Sequence, residues 1–225
     1  MNILAIDTAA TLCAACVYDS TARVEKGRAV LELGKGHAEH VMTIVGQALE
    51  HAGIPYEALG TVAVSVGPGS FTGVRVGVAA ARGLALALKV PAIGVTTLEA
   101  LAAEARESFP HRPVLAVIGN RPESLATARF DASGACIEGP TLATIETVTA
   151  TARAGRPVLA GDAAGLIAEA AGGTLDMGPQ RATADILFYA RIAARRPPGD
   201  KPKPLYLRAP DARPQGAFAL PLKDR

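Results

Sequence analysis

The chain has 225 residues, 49% of them apolar, with no tryptophan and a formal charge of +2. That length supports one large core or two small lobes of about 100 residues each, and the near-neutral balance does not mark a dedicated nucleic-acid binder. No run approaches the roughly 18 to 20 uncharged apolar residues of a membrane span, and the first seven residues read as a strand without a basic leader, so a cytoplasmic protein with no membrane contact is expected.

From the N-terminus, residues 2–7 (NILAID), 12–18 and 24–33 read as three strands of an antiparallel meander, the first two joined by a tight connection at 8–11. Cys13 and Cys16 have the spacing of a zinc or redox pair. On a strand, however, residues three apart point to opposite faces, so two separate core side chains are expected. Three cysteines, an odd count, also suit a reducing compartment better than a disulfide framework. After Gly34 and Gly36 a helix is expected over 37–52, then a buried strand over 61–66 that runs into a Gly-Pro-Gly-Ser turn. A helix over 72–88, a strand at 92–95 and a helix over 98–107 follow. This half reads βββαβαβα.

Residues 114–118 (VLAVI) echo the first strand and 125–130 can follow as a second, so the chain looks duplicated. A helix at 148–153, a strand at 158–160 and helices at 163–171 and 184–196 repeat the alternation in shortened form. The expected architecture is α/β, two actin-like lobes on one plan with the second reduced, spanning residues 1–108 and 109–196. The run Pro197-Pro198-Gly199-Asp200-Lys201-Pro202-Lys203-Pro204 ends regular structure, and 197–225 is expected to be an exposed, extended tail. Residues 181–225 carry 10 Lys/Arg against 4 Asp/Glu, whereas 1–110 carry 8 against 10. The basic tail can meet RNA phosphates or stay solvated; no aromatic platform is interleaved with its charges.

Set at 100° steps, Ala38, Val41, Met42, Ile44, Val45, Ala48, Leu49 and Ala52 cover an arc of about 160°, wider than the ~100° that one sheet hides. The surplus has to meet the neighbouring helix or a second chain. On the next helix Gly73, Gly77, Ala80, Ala81 and Leu84, with Val76 beside them, form a small-residue stripe that admits another helix closely. Gly77 and Gly83 each cost about 1 kcal/mol relative to alanine in a helix interior. Two glycines on different faces favour a second chain over the chain's own sheet, and these two helical faces are the expected partner interface.

The loop Gly67-Pro68-Gly69-Ser70, between strand and helix, can offer amides and a helix dipole to an anion, with Asp7 and Thr8 facing a phosphate and its metal across an actin-like cleft. Its spacing is neither GxGxxG nor that of a P-loop, which favours a tight turn with Ser70 or Thr72 as helix cap. His37 and His40 stand at i and i+3, as two metal ligands would, but no third ligand is near, and a surface role is preferred. No nucleophile with its base, no carboxylate pair and no Cys/His set occurs in a supporting context, so no catalytic centre is expected.

The run Val64-Ser65-Val66-Gly67-Pro68-Gly69-Ser70-Phe71-Thr72-Gly73-Val74-Arg75-Val76-Gly77 resembles the most recognisable segment of TsaB (YeaZ-type) proteins. Ile3-Leu4-Ala5-Ile6-Asp7-Thr8, His37-Ala38-Glu39-His40, Pro91-Ala92-Ile93-Gly94-Val95, Leu98-Glu99-Ala100-Leu101 and Pro204-Leu205-Tyr206-Leu207-Arg208 support it, densely over residues 1–105 and thinly beyond. The resemblance implies an actin/Hsp70-like (ASKHA, RNase H-like) fold. It also implies a non-catalytic scaffold that dimerises with a catalytic relative, TsaD, which moves threonylcarbamoyl from its adenylate to N6 of adenosine 37 in tRNA. A bundle of the first two helices would form that interface and, when the chain is alone, a homodimer. A TsaE ATPase is the implied third component, with ATP or ADP at the junction of partners, no cofactor of the chain's own, and tRNA contact indirect or through the basic tail.

In TsaD a metal sits on an HxxxH pair just past the equivalent of Val95. The corresponding positions are Thr97 and Leu101, and neither binds a metal as imidazole does. Gly119-Asn120-Arg121 stands where TsaB proteins usually have Asp-Ala-Arg, a departure in the second lobe. The alternative function is a metal-dependent glycoprotease-like hydrolase. An ATP-using sugar-kinase-like enzyme is weaker, since Gly161-Asp162-Ala163-Ala164-Gly165 is only a faint adenosine loop.

Overall fold

In the computed structural model, which describes residues 1–207, the N-terminal meander forms from β1 (Asn2–Asp7), β2 (Leu12–Asp19) and β3 (Val24–Glu32), each antiparallel to the next. The chain crosses through α1 (His37–Ala52) and a 3₁₀ turn, Tyr56–Ala58, to β4 (Leu59–Ser65), which lies parallel to β1. It crosses again through α2 (Phe71–Leu88) to β5 (Ala92–Val95), parallel to β4. The sheet order is therefore β3-β2-β1-β4-β5. Parallel neighbours need such crossovers, and helices on both faces explain why β1 and β4 are continuous apolar runs.

Alternation along β1 sends Leu4 and Ile6 into a core with α1 and α2, and Ile3 and Ala5 into a second core on the other face. Cys13 and Cys16 divide between those cores in the same way, as the strand reading requires. Burial, helped by the nearby Asp7 charge, pushes the Cys13 thiol up to about 11.

The second unit contains β6 (Val114–Ile118), β7 (Leu125–Phe130), β8 (Cys136–Ala143), α4 (Ile145–Gly155), β9 (Val158–Ala160) and α5 (Ala164–Ala171), numbered after α3 (Thr97–Ser108). Its sheet, β8-β7-β6-β9, repeats the first four positions of the first sheet. The fifth strand is reduced to one parallel bridge, Leu159 to Met177. Sequence reading did not find β8. It is an edge strand, mostly exposed, with Gly139 and Pro140 inside it and register shifts where it pairs with β7, all features that blur a strand pattern.

The two lobes exchange helices. α3 follows the first sheet but packs on β6, β7 and β9, whereas the last helix, α6 (Ile186–Ala193), follows the second sheet and packs on β1, β2, β4 and β5. A single central core results, joining Ile3 and Ala63 of the first sheet, Leu98 and Leu101 of α3, Ala116 and Phe130 of the second sheet, and Tyr189 of α6. Leu98 and Leu101 are fully buried there, each contributing about 2 kcal/mol relative to exposure. A third core joins β6 and β9 to α4 and α5.

Residues 197–207 form no helix or strand, as expected, but their exposure is corrected in part, because the chain is anchored at several points. Arg196 donates to Gly94 O and Glu99 Oε1, both at 2.6 Å, Pro202 is buried beside Gly94, and the Leu205 amide donates to Val66 O at 2.8 Å. The segment thus returns to the C-terminal ends of β4 and β5. Residues 208–225, and with them much of the basic-tail expectation, lie outside the described residues.

Candidate functional site

Where an actin-like cleft would place a phosphate, this chain is closed by its own side chains. Asp7 ends β1 with only 2% of its surface exposed, and its Oδ1 accepts from the Ala9 amide at 2.9 Å. Burial holds the carboxyl above its ordinary value, opposed by the Ala9 amide and by the surrounding side chains of Thr183, Ser65 and Tyr189. Tyr189, fully buried on α6, sits over this cluster with its hydroxyl making no well-aligned hydrogen bond. Thr8 is also buried, and its hydroxyl donates to Gly73 O at 2.7 Å. The expectation that Asp7 and Thr8 face a phosphate is therefore corrected: one is covered by α6 and the other is spent fastening α2.

The loop behaves as a turn. Gly67 has φ of +90°, which glycine adopts readily, and Ser70 is the N-cap of α2, its Oγ accepting from the Gly73 amide at 3.3 Å. The Ser70 amide donates to Ala9 O at 2.6 Å, and a Cβ on Gly69 would lie 2.3 Å from that same oxygen. Gly69 and Ser70 thus rest on Ala9 of the β1–β2 connection, with the Ser70 amide committed to Ala9 O, while Gly67 is buried against Val74 and its carbonyl accepts from the Thr97 amide. In the second lobe the Gly119 amide donates to Asp162 Oδ1 at 2.8 Å, and a Cβ on Gly161 would lie 2.0 Å from Val117 O. This ties together the two segments singled out there.

α6 is held over the cleft by ion pairs. Arg28 on β3 donates to both Asp185 oxygens, at 2.6 and 2.8 Å, and Asp185 caps α6 through the Leu187 amide. Burial pushes the Asp185 carboxyl up, but the Arg28 hydrogen bonds and the Leu187 amide outweigh it and hold it low. The Asp185 amide donates to Glu104 Oε2 on α3, and Arg181 pairs with the same glutamate.

Asp7 gives a testable pH signature. The folded state binds the proton more tightly than the unfolded chain, so this contribution is complete below the ordinary carboxylate value and is lost as pH rises through the folded value. Asp7→Asn keeps an acceptor for the Ala9 amide and removes the titration. Urea unfolding between about pH 4 and 8 should show that the variant lacks this decline and is at least as stable as wild type at neutral pH.

The expected partner interface divides sharply. Val41, Ile44, Val45, Ala48 and Leu49 of α1 are buried against the chain's own sheet, which corrects their placement on an interface: the surplus arc is covered by the neighbouring α2. On α2, Gly73, Gly77 and Ala81 are buried too, and Val76, Ala80 and Leu84 are half-buried at the edge of that core. A Cβ on Gly77 would meet Thr8 Oγ1 at 2.5 Å, so close packing within the chain accounts for this glycine. What is left at the surface is Ala38 and Met42 on α1, and on α2 a stripe of Ala79, Gly83, Leu86 and Ala87. Leu86 is 78% exposed and nothing lies within 4 Å of a Cβ built on Gly83. Leu86 was missed in the sequence, though it falls on the face opposite the buried stripe. α2 is also long and apolar enough to cross a membrane by length and composition, but its other face is committed to the first sheet.

At the N-terminus of α2 the Arg75 guanidinium lies 3.8 Å from the Phe71 ring centre, and its Nε donates to the Tyr206 hydroxyl at 2.6 Å. Both rings are about half exposed. His37 is buried with Nε2 unpartnered and His40 is half-buried on the same helix. Thr97 and Leu101 on α3 are fully buried, with Thr97 Oγ1 at 3.3 Å from Ser65 Oγ.

Comparison with known proteins decides the relationship. The family model for TsaD, tRNA N6-adenosine threonylcarbamoyltransferase, matches residues 31–182, and the chain is 38% identical over 132 residues to the tRNA threonylcarbamoyladenosine biosynthesis protein TsaB of Escherichia coli K12, covering 58% of this chain and 55% of that one. The chain belongs to this family, as a TsaB/YeaZ-type member. YeaZ from Pseudomonas aeruginosa superposes with a TM-score of 0.76 at 25% identity, over 92% of this chain and 99% of that one, so the actin-like α/β fold is shared by this type. The chain spans about half the length of the named TsaB relatives it matches. An uncharacterised protein of Mycobacterium tuberculosis (strain CDC 1551) is 32% identical over 219 residues, 95% of this chain and 94% of that one.

Proposed function

We propose that this chain is a non-catalytic partner subunit for N6-threonylcarbamoylation of adenosine 37 in tRNA, docking through α1 and α2 on a TsaD-type catalytic subunit. The observation that carries this reading is the exposed small-residue face of α2, set beside Met42, in a TsaB/YeaZ-type chain. Its apolar side chains have no partner among the described residues, and Gly83 leaves room for close approach of a helix. Two features of the cleft support the absence of catalysis. Asp7 is sealed under Tyr189, and Thr97 and Leu101, at the positions of the metal-binding pair in the catalytic relative, are core residues. The glycoprotease-like alternative would need metal ligands at those two positions. The same face would form a homodimer when the partner is absent, and a TsaE-type ATPase with ATP or ADP at the subunit junction completes the proposal.

The test is to mix the chain with the TsaD-type protein of the same organism and measure the mass by size-exclusion light scattering. A one-to-one complex is expected, and Leu86→Glu should abolish it while leaving the isolated chain folded. Separate elution under every nucleotide condition would reject the partner assignment.

A further inference from the structure

Between the two lobes, beside α3 and α6, lies an open groove of about 680 Å³. Among the described residues its charged lining is five arginines, Arg23, Arg106, Arg191, Arg195 and Arg196, against two glutamates, Glu99 and Glu107. Both glutamates are already paired: Glu99 Oε1 accepts from Arg196 at 2.6 Å and Glu107 Oε1 from Arg191 at 3.1 Å. Arg106 donates only to a main-chain oxygen, Asp131 O at 3.2 Å. The neighbouring Asp131 carboxylate is turned into its own hairpin, accepting from the Ser133 hydroxyl at 2.6 Å and from the Ser133 and Ala135 amides. Arg23 and Arg195 are exposed and pair with no described residue.

Among the described residues, three guanidinium groups therefore stand uncompensated around one groove, brought by three separate elements: the β2–β3 turn, α3 and the chain just after α6. Their planar donors match phosphate oxygens better than an ammonium would. Tyr18 and Phe130 also line the groove but are buried, at 6% and 4% exposed, so the described residues offer it no free ring on which a base could stack. Contact through phosphate without base stacking is the pattern of sequence-independent backbone binding. The site is an open groove at the junction of lobes, which suits a strand passing through it more than an enclosed small molecule. We propose that this groove binds the phosphate backbone of an RNA strand, an inference that rests on the reading of the chain as a tRNA-modification subunit.

Fluorescence anisotropy of a labelled unmodified tRNA, titrated with the intact chain across roughly 50 to 200 mM salt, tests it. Arg23→Gln with Arg195→Gln should weaken binding about tenfold and lower the slope of log affinity against log salt by about 2. Lys35→Gln, exposed in the β3–α1 connection and outside both the groove and the α2 face, should change neither. Thermal melts of each variant by circular dichroism establish that the fold is kept, and each single substitution should lower the slope by about 1. Unchanged binding by the double variant, or no tRNA binding by wild type, overturns the proposal. Displacement of tRNA by stoichiometric inorganic pyrophosphate would reassign the groove to a small phosphate ligand and also overturn it. Assembly with the TsaD-type protein is measured on the same preparations: if it persists while the groove variants bind normally, only the groove assignment fails, and if it is absent, the functional reading itself fails.

Discussion

Gly73→Ala is expected to remove most of the stability of the chain, at least about 4 kcal/mol by urea unfolding, and to leave little soluble protein. The added Cβ would lie 2.0 Å from the Thr8 carbonyl oxygen. Both groups are backbone, one at the end of the central strand and one in the first turn of α2, so neither can rotate aside. Moving α2 outward would break the hydrogen bond from Thr8 Oγ1 to Gly73 O and pull Val74, Val78 and Ala81 out of the core. Gly77→Ala is a different case, because its Cβ meets the Thr8 side chain, Oγ1 at 2.5 Å. Thr8→Ala should therefore rescue Gly77→Ala and fail to rescue Gly73→Ala. In a double-mutant cycle the Thr8–Gly77 coupling should be about 1 to 3 kcal/mol, against a cost of about 1 kcal/mol for losing the threonine hydrogen bond alone. Additive effects at Thr8 and Gly77 would mean that this contact is not what requires glycine.

Local periodicity made much of both lobes legible. β5 and β6, β7 and β9 have the bounds read from the sequence, and so does α1, because apolar runs and Gly punctuation mark those elements directly. The partition of Cys13 and Cys16 to opposite cores followed from strand alternation alone. The third strand of the second lobe was invisible, since an exposed edge containing Gly139 and Pro140 has neither alternation nor an apolar run.

The candidate site was harder to read, for a reason that periodicity cannot reach. An arc of apolar residues says that a helical face is covered but not by what, and for Val41, Ile44, Val45, Ala48 and Leu49 the cover is the chain's own sheet and α2. In the same way Asp7 carries the signature of a phosphate-facing strand end. What closes it is Tyr189, almost the whole chain away, placed there by the exchange of α3 and α6 between lobes. Such long-range closure depends on which sheet a helix crosses to, and local sequence does not encode that choice. The resemblance to TsaB proteins pointed to two helices, and only the folded chain shows which of their side chains stay exposed.

Gly83 separates those sides by experiment. It lies in the interior of α2, exposed, with nothing within 4 Å of a Cβ built on it. For the isolated chain alanine is the better residue, so Gly83→Ala should raise its stability by about 1 kcal/mol. Gly83→Leu should also fold, since the side chain enters solvent. If a second helix packs on this stripe, however, the same leucine holds it away from Ala79 and Leu86. Assembly with the TsaD-type protein should then weaken at least about 100-fold, equivalent to about 2.7 kcal/mol, as read by light scattering across a dilution series. A substitution that stabilises the monomer and destroys the complex cannot act through misfolding, and so it assigns the face. Tight assembly by Gly83→Leu would instead put the contact elsewhere on the chain, with the half-exposed rings of Phe71 and Tyr206 around Arg75 the next surface to vary.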